Sequence, residues 1–415
     1  MKKALDSTAM KWGSAIAAES ERRYGSARQY IAACVEQVKF QLENQSPDLA
    51  ILFVSPHFSD EYEHIPDLIK EMTGTKHFIG CSAGGLIGGG LEIEQQRSIS
   101  LTAAILPGVE LKTFHLEDDQ LPDLDDAPIR WEELMNVEQA AEPAFVLLPD
   151  PFSFQIDALV QGLDYAFPHS IKMGGLASGA NKPGLNALFC EDRLHRSGVV
   201  GASIFGNVLV DSVVAQGCRP IGKAYRVTAC RNNFLVELDG KPAVAVLKDV
   251  LESLPAQDQA LAKNSLFLGV VMDEFKDTFK VGDFLIRNII GIEPKSGALV
   301  VGELLRNERT VQFHLRDAAT SSKDLRAMLK QYVDRNAEEE KSQAAGALLF
   351  SCLGRGKYLY GEANHDTDCF REYVGEIPLG GFFCNGEIGP VGGTTFLHGY
   401  TSSFGIFRAK TAAGG

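Results

Sequence analysis

Three glycine-rich segments carry the residue types and spacings that are best suited to hold a small molecule. Each includes an apolar, strand-like run, and the three read Phe78-Ile-Gly-Cys-Ser-Ala-Gly-Gly85, Met173-Gly-Gly-Leu-Ala-Ser-Gly-Ala-Asn181 and Ile377-Pro-Leu-Gly-Gly-Phe-Phe-Cys-Asn-Gly-Glu-Ile-Gly-Pro390. Glycine lets the backbone adopt positive φ and lets another group approach it closely. We therefore expect the three strand ends to gather around a pocket, which indicates binding more than catalysis.

The first segment also admits a catalytic interpretation. Gly80-Cys-Ser-Ala-Gly84 matches the G-x-S-x-G nucleophile elbow, in which Ser82 would be the nucleophile of a hydrolase. That elbow needs a helix directly after it, whereas Gly85-Leu-Ile-Gly-Gly-Gly90 is a poor helix start. The alternatives are a turn whose serine bonds local backbone, or a nest in which Ser82 and N–H groups near Gly84 and Gly85 hold an anion.

The second segment is not a nucleotide-binding fingerprint, because it lacks both G-x-G-x-x-G and a P-loop lysine. Ser178 and Asn181 have the groups to hydrogen-bond a small polar ligand. The alternative is a turn that packs against a neighbouring domain.

Two charged residues suggest how an amino-acid-like molecule would be held. Arg287 lies in the strand-like run Phe284–Gly291 and needs a partner if buried, either a ligand carboxylate or an Asp or Glu of the chain. Glu387, beside Asn385 in the third segment, would hold a ligand amine. We hypothesise that Arg287 and Glu387 bracket the two ends of the ligand.

Cys352 precedes Gly354-Arg-Gly356, and Arg355 would make its thiol more reactive by lowering the pKa. A small buried residue is the more frequent use of a free cysteine. His57 and His64 lack the H-E-x-x-H spacing of a zinc site and fit a charged helix face better. We expect no metal and no cofactor.

Composition narrows the class of protein. The 415 residues carry a net charge of -14, which argues against a broad nucleic-acid or anionic-membrane surface. The eight cysteines include no C-x-x-C pair, and no stretch approaches the roughly 20 apolar residues of a membrane helix. The N-terminus does not read as a secretory signal. These features predict a cytoplasmic protein.

One pattern recurs along the chain: a buried strand, a helix, a strand with a glycine turn, and a strand pair. It starts near residues 48, 144 and 346. The pattern predicts an α/β fold of duplicated units with mixed β-sheets flanked by helices, in two packed domains. We expect an N-terminal segment over 1–25, domains over 26–240 and 241–408, and a tail over 409–415.

The chain resembles the FIST family (F-box and intracellular signal transduction) and contains stretches similar to both its N-terminal and its C-terminal domain. The resemblance is carried by seven stretches: Leu49–Pro56, Ile79–Gly85, Met173–Gly179, Gly217–Gly240, Phe284–Gly302, Gly346–Gly356 and Pro378–Pro390. It implies a sensory module for a small ligand such as an amino acid or similar polar metabolite. The chain has no room for a kinase, a methyl-acceptor region or an F-box, so we expect a separate signalling protein as its partner.

The predicted function is therefore small-ligand sensing without enzymatic activity. The alternatives are a serine hydrolase or transferase and a protein-interaction scaffold. The predicted ligand-binding residues are Ser82, Gly84, Gly85, Ser178, Asn181, Arg287, Cys352, Arg355, Asn385 and Glu387.

Overall fold

The described residues form two compact units. The structure, a computed structural model, describes residues 9–22, 24–276, 278–280, 282–339 and 342–410. The first unit takes the described residues of Met1–Val214, Met328–Leu397 and Thr401–Gly415, and the second takes those of Ala215–Ala327 and His398–Tyr400. The chain thus leaves the first unit after residue 214 and returns to it at residue 328.

The helices are α1 (Ala27–Gln41), α2 (Ile65–Thr73), α3 (Pro128–Met135), α4 (Ile156–Ala166), α5 (Ala243–Ser253), α6 (Ala256–Ala262), α7 (Ala318–Glu338), α8 (Gly356–Tyr360) and α9 (His365–Val374). Short 3-10 helices cover Pro56–His64, Asp118–Gln120 and Gln139–Ala141.

The strands are β1 (Lys11–Ala18), β2 (Leu49–Val54), β3 (His77–Ser82), β4 (Gly85–Gly88), β5 (Leu91–Glu94), β6 (Ser98–Ile105), β7 (Val109–Leu116), β8 (Ala144–Pro149), β9 (Lys172–Gly175), β10 (Leu188–Cys190), β11 (Arg193–His195), β12 (Val199–Gly206), β13 (Leu209–Ala215), β14 (Cys218–Arg231), β15 (Phe234–Leu238), β16 (Lys241–Pro242), β17 (Leu266–Val271), β18 (Phe284–Ile292), β19 (Leu299–Val301), β20 (Thr310–Arg316), β21 (Gly346–Cys352), β22 (Leu379–Cys384), β23 (Glu387–Val391), β24 (Thr394–His398) and β25 (Ser402–Arg408).

Three mixed sheets organise the first unit. Their strand orders are β1-β6-β2-β3-β10-β11, β24-β23-β9-β8-β12-β7 and β13-β25-β21-β22-β4-β5. The third sheet joins strands that are far apart in sequence, because β22 pairs antiparallel with β4. The predicted class, α/β with mixed sheets and helices, is confirmed.

Each of these sheets contains one copy of a parallel strand–helix–strand repeat. The copies are β2–α2–β3, β8–α4–β9 and β21–α8–α9–β22. In each copy a leucine of the first strand is in register with a glycine of the second: Leu52 with Gly80, Leu147 with Gly174 and Leu349 with Gly381. A Cβ atom at Gly174 or Gly381 would overlap the carbonyl oxygen of that leucine, so the close strand pairing requires glycine there.

The repeats share one core. β2 is buried along its whole length, as its continuous apolar sequence predicts for a strand covered on both faces. Its Phe53 lies in one hydrophobic cluster with Val146 of the second repeat and Phe350 of the third. Leu52 faces a second cluster that includes Ile31 of α1. Packing of all three repeats therefore fixes how their strand ends are arranged.

The second unit is built on a seven-stranded sheet with the order β14-β20-β17-β18-β19-β15-β16. Its core places Val246 and Leu247 of α5 with Leu268 and Phe313 of the sheet. β14 and β15 form a hairpin whose turn includes Asn232, which has a positive φ of 54°. The expected domain boundary at residues 240 and 241 stays a prediction, whereas the compact units divide at residues 214 and 327.

The sequence interpretation missed several strands, including two regions of the first unit. β1 lies in the expected N-terminal segment and pairs with β6 over Lys11–Ala18. Its sequence, Lys-Trp-Gly-Ser-Ala-Ile-Ala-Ala, does not alternate between apolar and polar residues. The second region is the hairpin of β4 and β5, which fills the position after the G-x-S-x-G motif where a nucleophile elbow needs a helix. Residues 1–8 and 411–415 of the expected terminal segments lie outside the described residues.

Candidate functional site

A cleft of about 830 Å³ in the first unit lies where the repeat strands end. We call it the strand-end cleft, and its lining residues are Pro56, His57, Gly84, Gln95, Pro151, Phe152, Ser178, Gly179, Ala180, Asn181, Leu353 and Asn385. This volume falls within the range of about 300–1,000 Å³ that is usual for small-molecule sites.

Apart from Gln95, which follows β5, the lining residues follow the carboxyl ends of the six repeat strands. Pro56 and His57 come shortly after β2, Pro151 and Phe152 after β8, and Leu353 directly after β21. Gly84, the segment 178–181 and Asn385 follow the second strand of each repeat. The carboxyl end of parallel strands is the usual place for a ligand in an open α/β sheet.

Hydrogen bonds join the first glycine turn to the second. The backbone N–H groups of Ser178 and Gly179 donate to the carbonyl oxygen of Ser82, at 3.2 and 3.1 Å. Gly84 N–H in turn donates to Ser178 Oγ at 3.1 Å. Backbone groups and one serine hydroxyl therefore hold the two turns together, and no large side chain is involved in these bonds.

The third turn is attached to the second in the same way. Asn385 N–H donates to the carbonyl oxygen of Leu176 at 3.1 Å, and Leu176 N–H donates to that of Gly386 at 2.9 Å. Ser178 Oγ donates to the carbonyl oxygen of Phe383, and Asn385 Nδ2 donates to that of Ala177 at 3.3 Å. The three glycine-rich segments thus converge, and Gly84, Ser178, Asn181 and Asn385 of the predicted set line one cleft.

Ser82 lies beneath the cleft instead of on its surface. Its side chain is fully buried, and its hydroxyl donates to Asn186 Oδ1 at 3.2 Å and accepts from Ala187 N–H at 2.9 Å. Asn186 Nδ2 donates to Asp150 Oδ1 at 2.8 Å. This arrangement matches the alternative of a turn serine that bonds nearby groups, and it leaves the hydroxyl unsuited to attack a substrate.

Arg355 does not line the cleft and belongs to a buried ionic cluster. Arg355 Nε and Nη2 donate to the two carboxylate oxygens of Asp366 at 2.9 and 3.1 Å. Ser351 and Ser402 hydroxyls also donate to Asp366 Oδ2. Burial alone would raise the pKa of Asp366, but the Arg355 charge and these hydrogen bonds hold it well below its usual value. The guanidinium is therefore committed to a structural ion pair.

Glu92 adds a second buried carboxyl group to that cluster. Burial and then the negative charge of Asp366 raise the pKa of Glu92 to about 8, although Thr367 N–H donates to it at 2.7 Å. The side chain is therefore a neutral acid at neutral pH and below.

The other four predicted residues do not line the cleft. Gly85 begins β4, and an added Cβ there would contact the ring of Phe383. Glu387 is fully buried and its Oε2 accepts from Thr401 N–H at 3.0 Å. Arg287 belongs to the second unit, where it pairs with Glu303, the alternative that its sequence left open. Cys352 is half-buried at the end of β21, next to the cleft-lining Leu353. The hypothesis that Arg287 and Glu387 bracket a ligand stays a prediction.

The cleft has little charge of its own. Among the described residues, its lining includes no Asp, Glu, Lys or Arg, and His57 is its one histidine. Within the described residues, the backbone N–H groups of Ala180 and Asn181 and the Asn181 side chain have no protein hydrogen-bond partner. Phe152, which is 41% exposed, and Leu353, which is 38% exposed, supply apolar surface. The cleft therefore offers a ligand uncharged hydrogen-bond donors at Ala180 and Asn181 and an apolar surface at Phe152 and Leu353.

The sequence interpretation missed the half of the lining that follows the first strand of each repeat. Pro56, Pro151, Phe152 and Leu353 belong to that half. A signal was present, because prolines end the first two of these strands. Both strands of a repeat are parallel and end at the same edge of the sheet, so the residues after the first strand are expected beside those after the second.

Comparison with known families defines the class of protein. The FIST N domain matches residues 48–241 and the FIST C domain matches residues 243–390. The chain therefore belongs to the FIST family, whose domains are recognised as sensory domains of signal transduction and are not a known enzyme family. Among the described residues, no helix is long and apolar enough to cross a membrane.

Individual relatives extend this result. An uncharacterized protein of Mycobacterium bovis is 35% identical over 381 residues, which cover 92% of this chain and 96% of that protein. An F-box/LRR-repeat protein of Arabidopsis thaliana is 22% identical over 331 residues, or 70% of this chain and 61% of that protein. F-box only protein 22 of Homo sapiens is 48% identical over 42 residues, 10% of each chain.

Proposed function

We propose that the protein is a sensory module that binds a small metabolite in the strand-end cleft of its first unit and passes the signal to a separate protein. The supporting observation is the convergence of all six repeat strand ends on one cleft. Ligand binding would favour whichever conformation of the surrounding turns binds it better.

The chemistry of the lining suggests the ligand class. A carboxylate or amide on the ligand would accept from Ala180 N–H, Asn181 N–H and the Asn181 side chain, because main-chain donors in a turn suit an anion. The body of the ligand would pack on Phe152 and Leu353. Amino acids satisfy the first requirement, but their ammonium group would meet no carboxylate among the lining residues.

A thermal-shift screen tests this proposal with paired compounds, each amino acid beside its des-amino analogue. A ligand at about 100 times its Kd stabilises the folded state by about 2.7 kcal/mol. We expect carboxylates to stabilise the protein, with and without the amino group. A strict requirement for the amino group would instead support an amine-holding carboxylate such as Glu387.

Two variants locate the site in the same screen. Asn181→Ala removes the side-chain amide and Phe152→Ala removes the exposed ring, and each should weaken binding about tenfold, or about 1.4 kcal/mol. Tyr165→Ala is the control, because this aromatic side chain is 54% exposed on α4 of the same unit but does not line the cleft. Equal affinity in all three variants would show that the ligand does not bind in the strand-end cleft.

A further inference from the structure

Two cysteines of the first unit stand side by side on neighbouring parallel strands. Cys352 and Cys384 are register partners at the carboxyl ends of β21 and β22, and both are thiols. Neighbouring strands lie about 4.7–4.9 Å apart, and a disulfide spans Cα separations of about 4.4–6.8 Å. The backbone therefore holds this pair at a separation that a disulfide accepts.

The two side chains also point to the same face of the sheet. Phe350 and Phe382 are register partners two positions earlier, and their ring centroids are 5.8 Å apart. Side chains alternate along a strand, so residues two positions apart share a face. Cys352 is two positions after Phe350, and Cys384 is two positions after Phe382. Both thiols therefore lie on the face of the sheet where these two rings pack.

The two thiols have unequal surroundings. Cys352 is half-buried, and the guanidinium of Arg355 is close enough to interact electrostatically with its sulfur. Cys384 is fully buried, and burial, followed by the charges of Glu387, Cys81 and Cys352, raises the pKa of its thiol well above the usual value. Cys352 is therefore the thiol that an oxidant reaches first, and Cys384 stays protonated beside it.

We propose that Cys352 and Cys384 form a redox pair that a peroxide converts to a disulfide between β21 and β22. The Cys352 thiolate attacks one oxygen of hydrogen peroxide, which breaks the O–O bond and gives a sulfenic acid and hydroxide. The Cys384 sulfur then attacks the sulfenic sulfur, the S–O bond breaks, and the Cys384 proton leaves with that oxygen as water. The two thiols lose two electrons in total, and the peroxide accepts them.

This pair lies beside the strand-end cleft. Leu353 and Asn385, the residues that directly follow the two cysteines, both line the cleft. A disulfide would tie together the chain segments that carry these two residues. Oxidation would thereby change one side of the cleft, although formation of the disulfide itself does not depend on any ligand.

Peptide mapping of the full chain tests the proposal. The reduced protein is treated with hydrogen peroxide, remaining thiols are alkylated, and the digest is analysed without reduction. We expect a peptide pair linked through Cys352 and Cys384 that disappears after dithiothreitol. A link between Cys81 and Cys384, or peroxide treatment that leaves both Cys352 and Cys384 open to alkylation, would overturn the proposal.

Variants distinguish the role of Cys352, which the peroxide oxidises, from that of Cys384, which resolves the sulfenic acid. In Cys384→Ser, Cys352 should accumulate as a sulfenic acid that dimedone traps several-fold more than in the wild type. Cys230→Ser is the control and should keep the wild-type disulfide, since Cys230 lies in the second unit. Equal dimedone labelling of wild type and Cys384→Ser would show that Cys384 does not resolve the sulfenic acid. Because the wild-type map needs no variant, a folding defect in Cys384→Ser leaves the main test intact.

Discussion

At the scale of single residues, the buried polar side chains in this structure serve the fold more than chemistry. The Ser82 hydroxyl bonds Asn186 and Ala187, and Arg355 forms a buried ion pair with Asp366. The sequence predicted that both residues bind a ligand, but it could not show which way each side chain points. Burial turns a reactive-looking serine or arginine into a structural group.

Ser82 should not react as a nucleophile. A fluorophosphonate probe is expected to leave it unlabelled, since its hydroxyl is buried and hydrogen-bonded. Ser82→Ala should lower the free energy of unfolding by about 1–3 kcal/mol, because the Ala187 N–H loses its acceptor. Urea denaturation measures the second effect, and probe labelling at Ser82 would restore the hydrolase alternative.

Glu92 should make stability depend on pH. The folded state keeps this acid protonated up to a pKa of about 8, whereas the unfolded chain ionises it near its ordinary value of 4.5. Its stabilising contribution is therefore full at low pH and is lost as pH rises through that window, by at most about 1.4 kcal/mol per pH unit.

Glu92→Gln should flatten this dependence, because glutamine cannot ionise. Urea denaturation across the window measures the slope for the wild type, for Glu92→Gln and for the exposed control Glu138→Gln. The control should keep the wild-type slope. Identical slopes for wild type and Glu92→Gln would mean that Glu92 already ionises freely in the folded protein.

At the scale of elements, the strand–helix–strand repeat is the feature that the sequence revealed best. The apolar runs at 48–55, 144–148 and 346–352 all became buried first strands, and a glycine turn follows each second strand. Local periodicity carries this information because each repeat is formed from neighbouring residues. The pairing of β22 with β4 joins residues almost 300 positions apart, and no local pattern records it.

The glycines opposite the leucines should be irreplaceable. Gly381→Ala would place a Cβ against the Leu349 carbonyl oxygen at φ 154°, and we expect a loss of more than about 3 kcal/mol. Gly291→Ala is a matched control, since Gly291 is also a strand glycine but has open space around its Cβ position. Urea denaturation compares the two, and a loss in Gly381→Ala no larger than in Gly291→Ala would refute the close-approach argument.

At the scale of the whole molecule, the fold brings segments about 100 and 200 residues apart to one place. The sequence predicted that the glycine turns gather, and it supplied four of the residues that line the strand-end cleft. It could not supply Phe152 or Leu353, because their positions follow from packing of the repeats in a shared core. Nor could it show that Arg287 belongs to a different compact unit.

Hydrogen–deuterium exchange with the best stabilising compound of the metabolite screen tests the central claim most directly. If the ligand occupies the strand-end cleft, amide exchange should slow together in peptides from 78–85, 173–181 and 377–390, while the second unit between residues 215 and 327 stays unchanged. Protection confined to one of these three segments, or found only in the second unit, would contradict binding at the converging strand ends.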